Sequence, residues 1–78
     1  RALLLARQLG DRNLEAWILD GIGRSYRDLG DASRSLQNYQ AALTIARGLN
    51  DPKLIGVVLA DMGEEYRINA EFNLALDR

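Results

Sequence analysis

The sequence contains an internal repeat, in which residues 2–36 align without a gap with residues 42–76, and this repeat constrains the fold more than any other feature. Twelve residues are identical between the two segments, and they include glycine, tyrosine, arginine and aspartate in one register. Two unrelated helices would share leucines but seldom all four of these residue types. The offset of about 40 residues is typical of supersecondary units that stack side by side. The first members of the twelve pairs are Ala2, Leu3, Ala6, Arg7, Leu9, Asp11, Leu14, Leu19, Gly23, Tyr26, Arg27 and Leu36.

The apolar residues inside each copy recur every three or four positions, which is the period of an amphipathic helix. No segment alternates in the way that a strand does, so the sequence predicts an all-α chain. The predicted helices cover residues 1–9, 12–29, 32–48, 52–69 and 72–78. In the second helix the predicted buried stripe is Ile18, Ile22, Ser25, Tyr26 and Leu29. The third stripe is Ala32, Leu36, Tyr39, Leu43 and Ala46, and the fourth is Leu54, Val58, Met62 and Tyr66.

Turn signals separate these stripes at Gly10-Asp11, Gly30-Asp31 and Asn50-Asp51-Pro52. Glycine or asparagine adopts the left-handed conformation that ends a helix, and the following aspartate can cap the next helix. Pro52 suits the first helical position, where its missing N–H has no partner to lose. The last predicted break, between residues 69 and 72, depends only on Asn69 and Asn73.

The stretch from Gly21 to Asp31, GIGRSYRDLGD, has two interpretations. A glycine-rich loop can hold a phosphate group, but the dinucleotide motif requires a preceding strand and a third glycine where Tyr26 stands. Neither is present, so we interpret Gly21 and Gly23 as helical and Gly30 as a helix end. Glycine inside a helix is unfavourable by about 1 kcal/mol relative to alanine. We therefore expect a neighbouring helix to approach Gly23 closely, with Ala42 as the contact.

Composition excludes several classes of function. The 78 residues carry a net charge of −1 and contain neither cysteine nor histidine. Disulfides, thiolate zinc sites and histidine-based catalysis are therefore excluded, and no basic field favours nucleic acid. No apolar run approaches the roughly 20 residues that cross a bilayer. The sequence predicts a protein that is not an enzyme, has no cofactor or metal and does not insert into membranes. It leaves the compartment open, and the lack of a signal or transmembrane segment favours an intracellular, soluble, cytoplasmic protein.

The residues of the repeat resemble the tetratricopeptide repeat (TPR) family. The family pattern places a large apolar residue, Leu-Gly, Tyr, Gly, Ala, an aromatic residue, Ala and a late Pro at fixed spacings. Here Ile22 stands for the Leu, Ser35 for the first Ala and Tyr39 for the aromatic residue, whereas Ala70 replaces the turn glycine in the second copy. The matching residues are Leu19, Ile22, Gly23, Tyr26, Gly30, Tyr39 and Ala42, with Pro52, then Leu59, Met62, Gly63 and Tyr66.

The unit is about six residues longer than the usual 34, as in the repeats of spindle-orientation and receptor-clustering scaffolds. The resemblance implies helix-turn-helix repeats stacked as an α-solenoid, the TPR superhelix, of which this chain is a fragment. Residues 1–10 are the tail of one repeat, 11–50 a complete repeat, and 51–78 a truncated repeat. Neighbouring repeats of the same chain would cover its ends.

In this family the first helix of each repeat lines a concave groove that binds a peptide or helix of another protein. The resemblance thus implies a protein–protein interaction scaffold. The groove candidates are charged residues on the first helices: Asp20, Arg24, Arg27, Asp28, Asp61, Glu64 and Arg67. Trp17 and the three tyrosines are expected to pack in the core.

Two alternatives stay open: an architectural spacer between other domains, and a peptide-sensing segment of a regulator. Charges three or four residues apart on a helix can pair with each other instead of with a partner. Asp20–Arg24, Arg24–Asp28 and Glu64–Arg67 all have that spacing. Self-paired charges would favour the spacer, and an unpaired groove arginine would favour binding.

Overall fold

The computed structural model describes the backbone of residues 2–76 and the side chains of residues 2–71. In this range the chain forms four helices and no strand: α1 (Ala2–Leu9), α2 (Arg12–Asp28), α3 (Ala32–Gly48) and α4 (Pro52–Leu76). The all-α prediction is therefore confirmed. Consecutive helices pack against each other, and α2 also contacts α4. The Cα atoms occupy a flat, elongated volume of 50 × 26 × 13 Å.

Three turns with the same geometry join the helices, and they are evenly spaced along the chain. Gly10, Gly30 and Asn50 have φ values of +70°, +80° and +53°. At each turn the amide of the next residue donates to a carbonyl five residues back, as Asp31 does to Tyr26 at 2.9 Å. The left-handed residue itself donates to the carbonyl three residues back. These two bonds define the Schellman motif, which satisfies carbonyls that a helix end leaves free.

An aspartate follows each left-handed residue and caps the next helix. Its side chain accepts a hydrogen bond from the backbone amide three residues later, at Leu14, Arg34 or Leu54. The predicted caps are confirmed. The Schellman and cap bonds of each turn lie within a few residues of chain, and only at the third turn does a described distant side chain add a bond, from Asn13 Nδ2 to Asp51 Oδ2 at 2.9 Å.

The predicted break near residue 70 is wrong, because α4 continues from Pro52 to Leu76. At the positions of the second copy that correspond to Gly30-Asp31, the chain has Ala70-Glu71. Alanine and glutamate are good helix formers, whereas a left-handed alanine would be strained by about 1–2 kcal/mol. No separate helix begins at residue 72, and residues 77 and 78 of that predicted helix lie outside the described residues.

Gly23 does make a close helix contact, and the atoms nearest to it belong to Tyr39 and Ser35, whereas Ala42 was expected to be the contact. A Cβ atom at position 23 would lie 2.6 Å from Tyr39 Cε1 and 3.1 Å from the Ser35 carbonyl oxygen. Tyr39 is fully buried, so its ring has little room to move aside. A side chain at position 23 is therefore incompatible with the packing of α2 against α3.

The buried face of α2 is rotated from the predicted stripe. Its buried residues are Glu15, Ala16, Leu19, Asp20 and Gly23. Of the predicted stripe, Ile18, Ile22 and Tyr26 are half-buried, whereas Ser25 and Leu29 are exposed. The residues that approach α3 are small, and hydrophobic periodicity gives little weight to alanine and glycine. The predicted face carries the larger apolar side chains, yet none of them is fully buried.

The core is continuous across α2, α3 and α4. It contains Ala16 and Leu19 of α2, Tyr39, Ala42, Leu43, Ile45 and Ala46 of α3, and Leu54, Val58 and Met62 of α4. Trp17 packs against this cluster, as expected. The prediction for Tyr66 is wrong: it is 53% exposed, and Glu65 takes the buried position after Met62.

Candidate functional site

The packing of α3 against both of its neighbours places α2 and α4 next to each other. Across this contact Arg27 Nη1 of α2 lies 3.8 Å from Asp61 Oδ1 of α4. Both side chains are about one-fifth exposed. This ion pair joins predicted groove residues of the two copies, so the structure brings the two halves of the candidate set together.

Asp20 is not part of the exposed surface, which contradicts its predicted role in a groove. It has no exposed area, and both of its carboxyl oxygens are buried without a hydrogen-bond donor, as is Asp61 Oδ2. Burial raises the pKa of Asp20 to about 7, and the neighbouring Asp61 carboxyl acts in the same direction, because a protonated Asp20 could donate to Asp61 and two ionised carboxylates would repel each other. Arg24 and Arg27 lower it by a smaller amount. Asp20 and Asp61 therefore form a buried carboxyl pair between α2 and α4 that favours holding a proton.

Two further buried oxygens, the hydroxyls of Ser35 and Tyr39, make no hydrogen bond. Burial also raises the pKa of Tyr39. These hydroxyls stand one helical turn apart on α3, the helix that packs against both α2 and α4. The centre of the molecule is thus more polar than its apolar pattern indicates.

Arg24 and Asp28 lie on the exposed side of α2. Arg24 Nε is 3.5 Å from Asp20 Oδ2, as its spacing of four residues predicts. The alternative pair, Arg24–Asp28, does not form. Asp28 makes no ion pair with any described residue, so its carboxylate can accept a contact from outside the chain.

The remaining candidates form an exposed network along α4. Arg67 donates to both oxygens of Glu64, and its Nη1 lies 2.5 Å from Glu71 Oε1. The hydrogen bond from Arg67 lowers the pKa of Glu64, and the two carboxylates raise the pKa of Arg67. Such solvent-exposed pairs contribute little to stability. The repeated arginines therefore differ: Arg27 joins two helices, and Arg67 pairs within one.

A cavity of about 260 Å³ lies where the end of α2 and the start of α3 face α4. It is lined by Arg27, Gly30, Ala32, Glu65, Ile68 and Asn69. Glu65 is only 2% exposed, and its Oε1 has no hydrogen-bond partner among the described residues. The sequence patterns alone do not predict this cavity. The sequence does contain a signal for the burial of Glu65, because three helical turns of 3.6 residues from Leu54 reach residue 65 and not residue 66.

The described side chains include no cluster of three His, Cys, Asp or Glu residues arranged to hold a metal ion. Between Ala2 and Leu76, none of the helices combines the length and apolar character that a bilayer crossing requires. The exposed arginines and carboxylates of α2 and α4 have the chemistry to bind charged groups, and so does the buried carboxylate of Glu65 at the cavity. In comparisons with protein-family models, curated proteins and solved structures, nothing matches this chain.

Proposed function

We propose that the chain is part of a TPR-like array and serves as a protein–protein interaction module. In this proposal α2 and α4 are the first helices of successive repeats and line a concave face that binds a peptide or helix of a partner protein. Three equivalent, evenly spaced turns and the in-register sequence repeat support this assignment. Stacked units of this kind present extended binding surfaces.

The observation that carries the proposal is the ion pair between Arg27 and Asp61. This pair holds the equivalent helices of the two copies side by side. We call the exposed charges beside the pair, on α2 and α4, the strip. Arg24 and Asp28 contribute from α2, and Glu64 contributes from α4. A strip with charges of both signs can bind carboxylates through arginine and basic groups through Asp and Glu.

Charge reversal on the strip tests the proposal. We would compare the chain with its Arg24→Glu/Asp28→Lys variant by affinity capture and mass spectrometry. The matched control is Arg47→Glu, because Arg47 is exposed on α3. We expect a partner that the control retains and the strip variant loses. Identical partners for all three proteins would contradict the proposal.

One observation favours the second candidate function, an architectural spacer. Arg24, Arg27 and Arg67 each have a carboxylate of the same chain within ion-pair distance. A spacer needs no free charge on this face. It predicts that the strip variant retains every partner and that binding is found only in other parts of the protein.

A further inference from the structure

We propose that the cavity beside Glu65 binds the side chain of a lysine or arginine from the partner. The inference rests on the proposed function and adds to it the chemistry of one contact. The carboxylate of Glu65 is not one of the strip charges, so the two proposals can fail separately.

The strongest support is a comparison of the two buried glutamates. Glu15 is 5% exposed, and two arginines satisfy its carboxylate: Arg7 at 3.0 Å and Arg12 at 2.8 Å. Glu65 is more deeply buried, yet no described lysine or arginine lies within ion-pair distance and its Oε1 accepts no hydrogen bond. A buried charge without a partner is strongly unfavourable. A cation from outside the described residues would provide the missing donors.

The charges around the cavity favour a cation. Arg27 is the one cationic residue that lines it, and Arg27 already lies within ion-pair distance of Asp61. Asp61 stands one helical turn before Glu65 on α4, and Glu64 precedes Glu65 directly. Arg67 pairs with Glu64, so the described carboxylates of this middle part of α4 outnumber the described cations there by one, and Glu65 is the carboxylate that has no cation.

The size and walls of the cavity fit a single side chain. Its volume of about 260 Å³ lies below the roughly 300–1,000 Å³ of small-molecule sites. Gly30, Ala32 and Ile68 provide apolar surface, which suits the methylene stem of a long basic residue. The charged end of that residue would then meet Glu65, and the amide of Asn69 adds a polar group to the wall.

The test uses amide NMR of the full chain with capped amino acids as probes. Nα-acetyl-lysine methylamide and its arginine counterpart are the charged probes, and the norleucine compound is the uncharged control. We expect the charged probes to shift the amide signals of Gly30, Ala32, Ile68 and Asn69, and norleucine to leave them unchanged. The relative response to lysine and arginine identifies the preferred cation.

Three variants make the result specific. Glu65→Gln keeps the shape of the side chain and should weaken binding of the charged probes at least about tenfold. Glu71→Gln is the matched control, because this carboxylate of the same helix is 64% exposed and pairs with Arg67. This control variant should bind the charged probes as the parent chain does. Ala32→Met fills the cavity from the opposite wall and should also abolish the signal shifts, without altering any charge.

Three outcomes would overturn the inference: equal shifts with norleucine, no shifts with either charged probe, or equal weakening by Glu71→Gln and Glu65→Gln. The capture experiment separates this failure from that of the proposed function. If Glu65→Gln retains a partner that the strip variant loses, the proposed function stands and the lysine or arginine contact does not.

Discussion

Helices α2 and α4 occupy equivalent positions in the sequence repeat, but they end differently. Gly23 and Gly63, Tyr26 and Tyr66, and Arg27 and Arg67 occupy equivalent positions. Helix α2 ends at Asp28 and is followed by a turn and by α3, whereas α4 continues to Leu76. Gly23 meets Tyr39, and Gly63 has no described atom within 4 Å of where its Cβ would lie. The same glycine is thus required for packing only where a second helix returns against it.

The difference originates at one pair of residues. Gly30-Asp31 provides a left-handed conformation and a cap, and Ala70-Glu71 provides neither as readily. Without the turn, the face of α4 that corresponds to the α3-facing side of α2 stays uncovered by the described residues. Leu59 and Tyr66 are 44% and 53% exposed on that face, whereas the equivalent Leu19 is 6% exposed.

The largest effect is expected from replacing Gly23, and replacing the equivalent Gly63 is the comparison. Gly23→Ala should reduce the free energy of unfolding by about 2–3 kcal/mol, because its methyl group would overlap the buried Tyr39 ring. Gly63→Ala should increase it by up to about 1 kcal/mol, since helix propensity improves and the site is open. Urea unfolding measures both values. Equal effects of the two substitutions would show that the two helices have equivalent surroundings.

The second-largest effect is a pH dependence of the free energy of unfolding. It is expected at Asp20, which is buried, and not at its counterpart in α4, Ala60, which is exposed. The pKa of Asp20 is raised from 3.8 to about 7 in the folded chain, so the native state binds a proton that the unfolded state releases. Its contribution to stability is therefore full below about pH 4 and is lost as the pH rises through about 7.

Asp20→Asn should remove this dependence and stabilise the chain at about pH 8 by on the order of 2 kcal/mol. Urea unfolding of the variant and the parent at about pH 4, 6 and 8 would measure the difference. Ala60→Asp is the control and should have little effect at any of these values, because position 60 is exposed. A constant difference between Asp20→Asn and the parent at all three values would contradict the raised pKa.

A smaller loss is expected at the turn itself. Gly30→Ala places a methyl group on a residue with φ of +80° and should destabilise the chain by about 1 kcal/mol or slightly more. Gly48→Ala is a suitable control, because that glycine is helical and has open space around it. Thermal unfolding should place the two variants on opposite sides of the parent. A higher melting temperature for Gly30→Ala would refute the role of this turn.

The smallest change in free energy should come from giving the second copy the turn of the first. Ala70→Gly/Glu71→Asp introduces the two residues found at positions 30 and 31 and should weaken α4 by about 1 kcal/mol. NMR chemical shifts should then show a break in the helix near residue 70. A helix that continues unchanged through this position would mean that the turn also needs a packing partner.

The sequence predicts the features that depend on near neighbours. The three turns, their caps and most helix ends follow from Gly, Asn and Asp at known positions. The buried face of α2 does not, because Ala16 and Gly23 pack through their small size, which hydropathy does not detect. The burial of Asp20 and Glu65 is also hidden, since it depends on residues of other helices.

The predicted groove shows the same limit. Spacing along one helix predicts the pairs Asp20–Arg24 and Glu64–Arg67, and both form. The pair that joins two helices, Arg27–Asp61, cannot be derived in that way, because it depends on how α3 positions its neighbours. The cavity beside Glu65 requires three elements at once, so only the structure could reveal it.

The confinement of each turn to a few residues of chain has a consequence for folding kinetics. A joint of this kind forms without any distant contact, so little loop-closure entropy opposes it. Each hairpin can then close on its own and template the next helix, and the low contact order of such a chain is typical of folding within microseconds to milliseconds. Helix α4 has no such turn near Ala70. A partner that bent the end of α4 back against the preceding part would therefore also have to offset the loop-closure entropy.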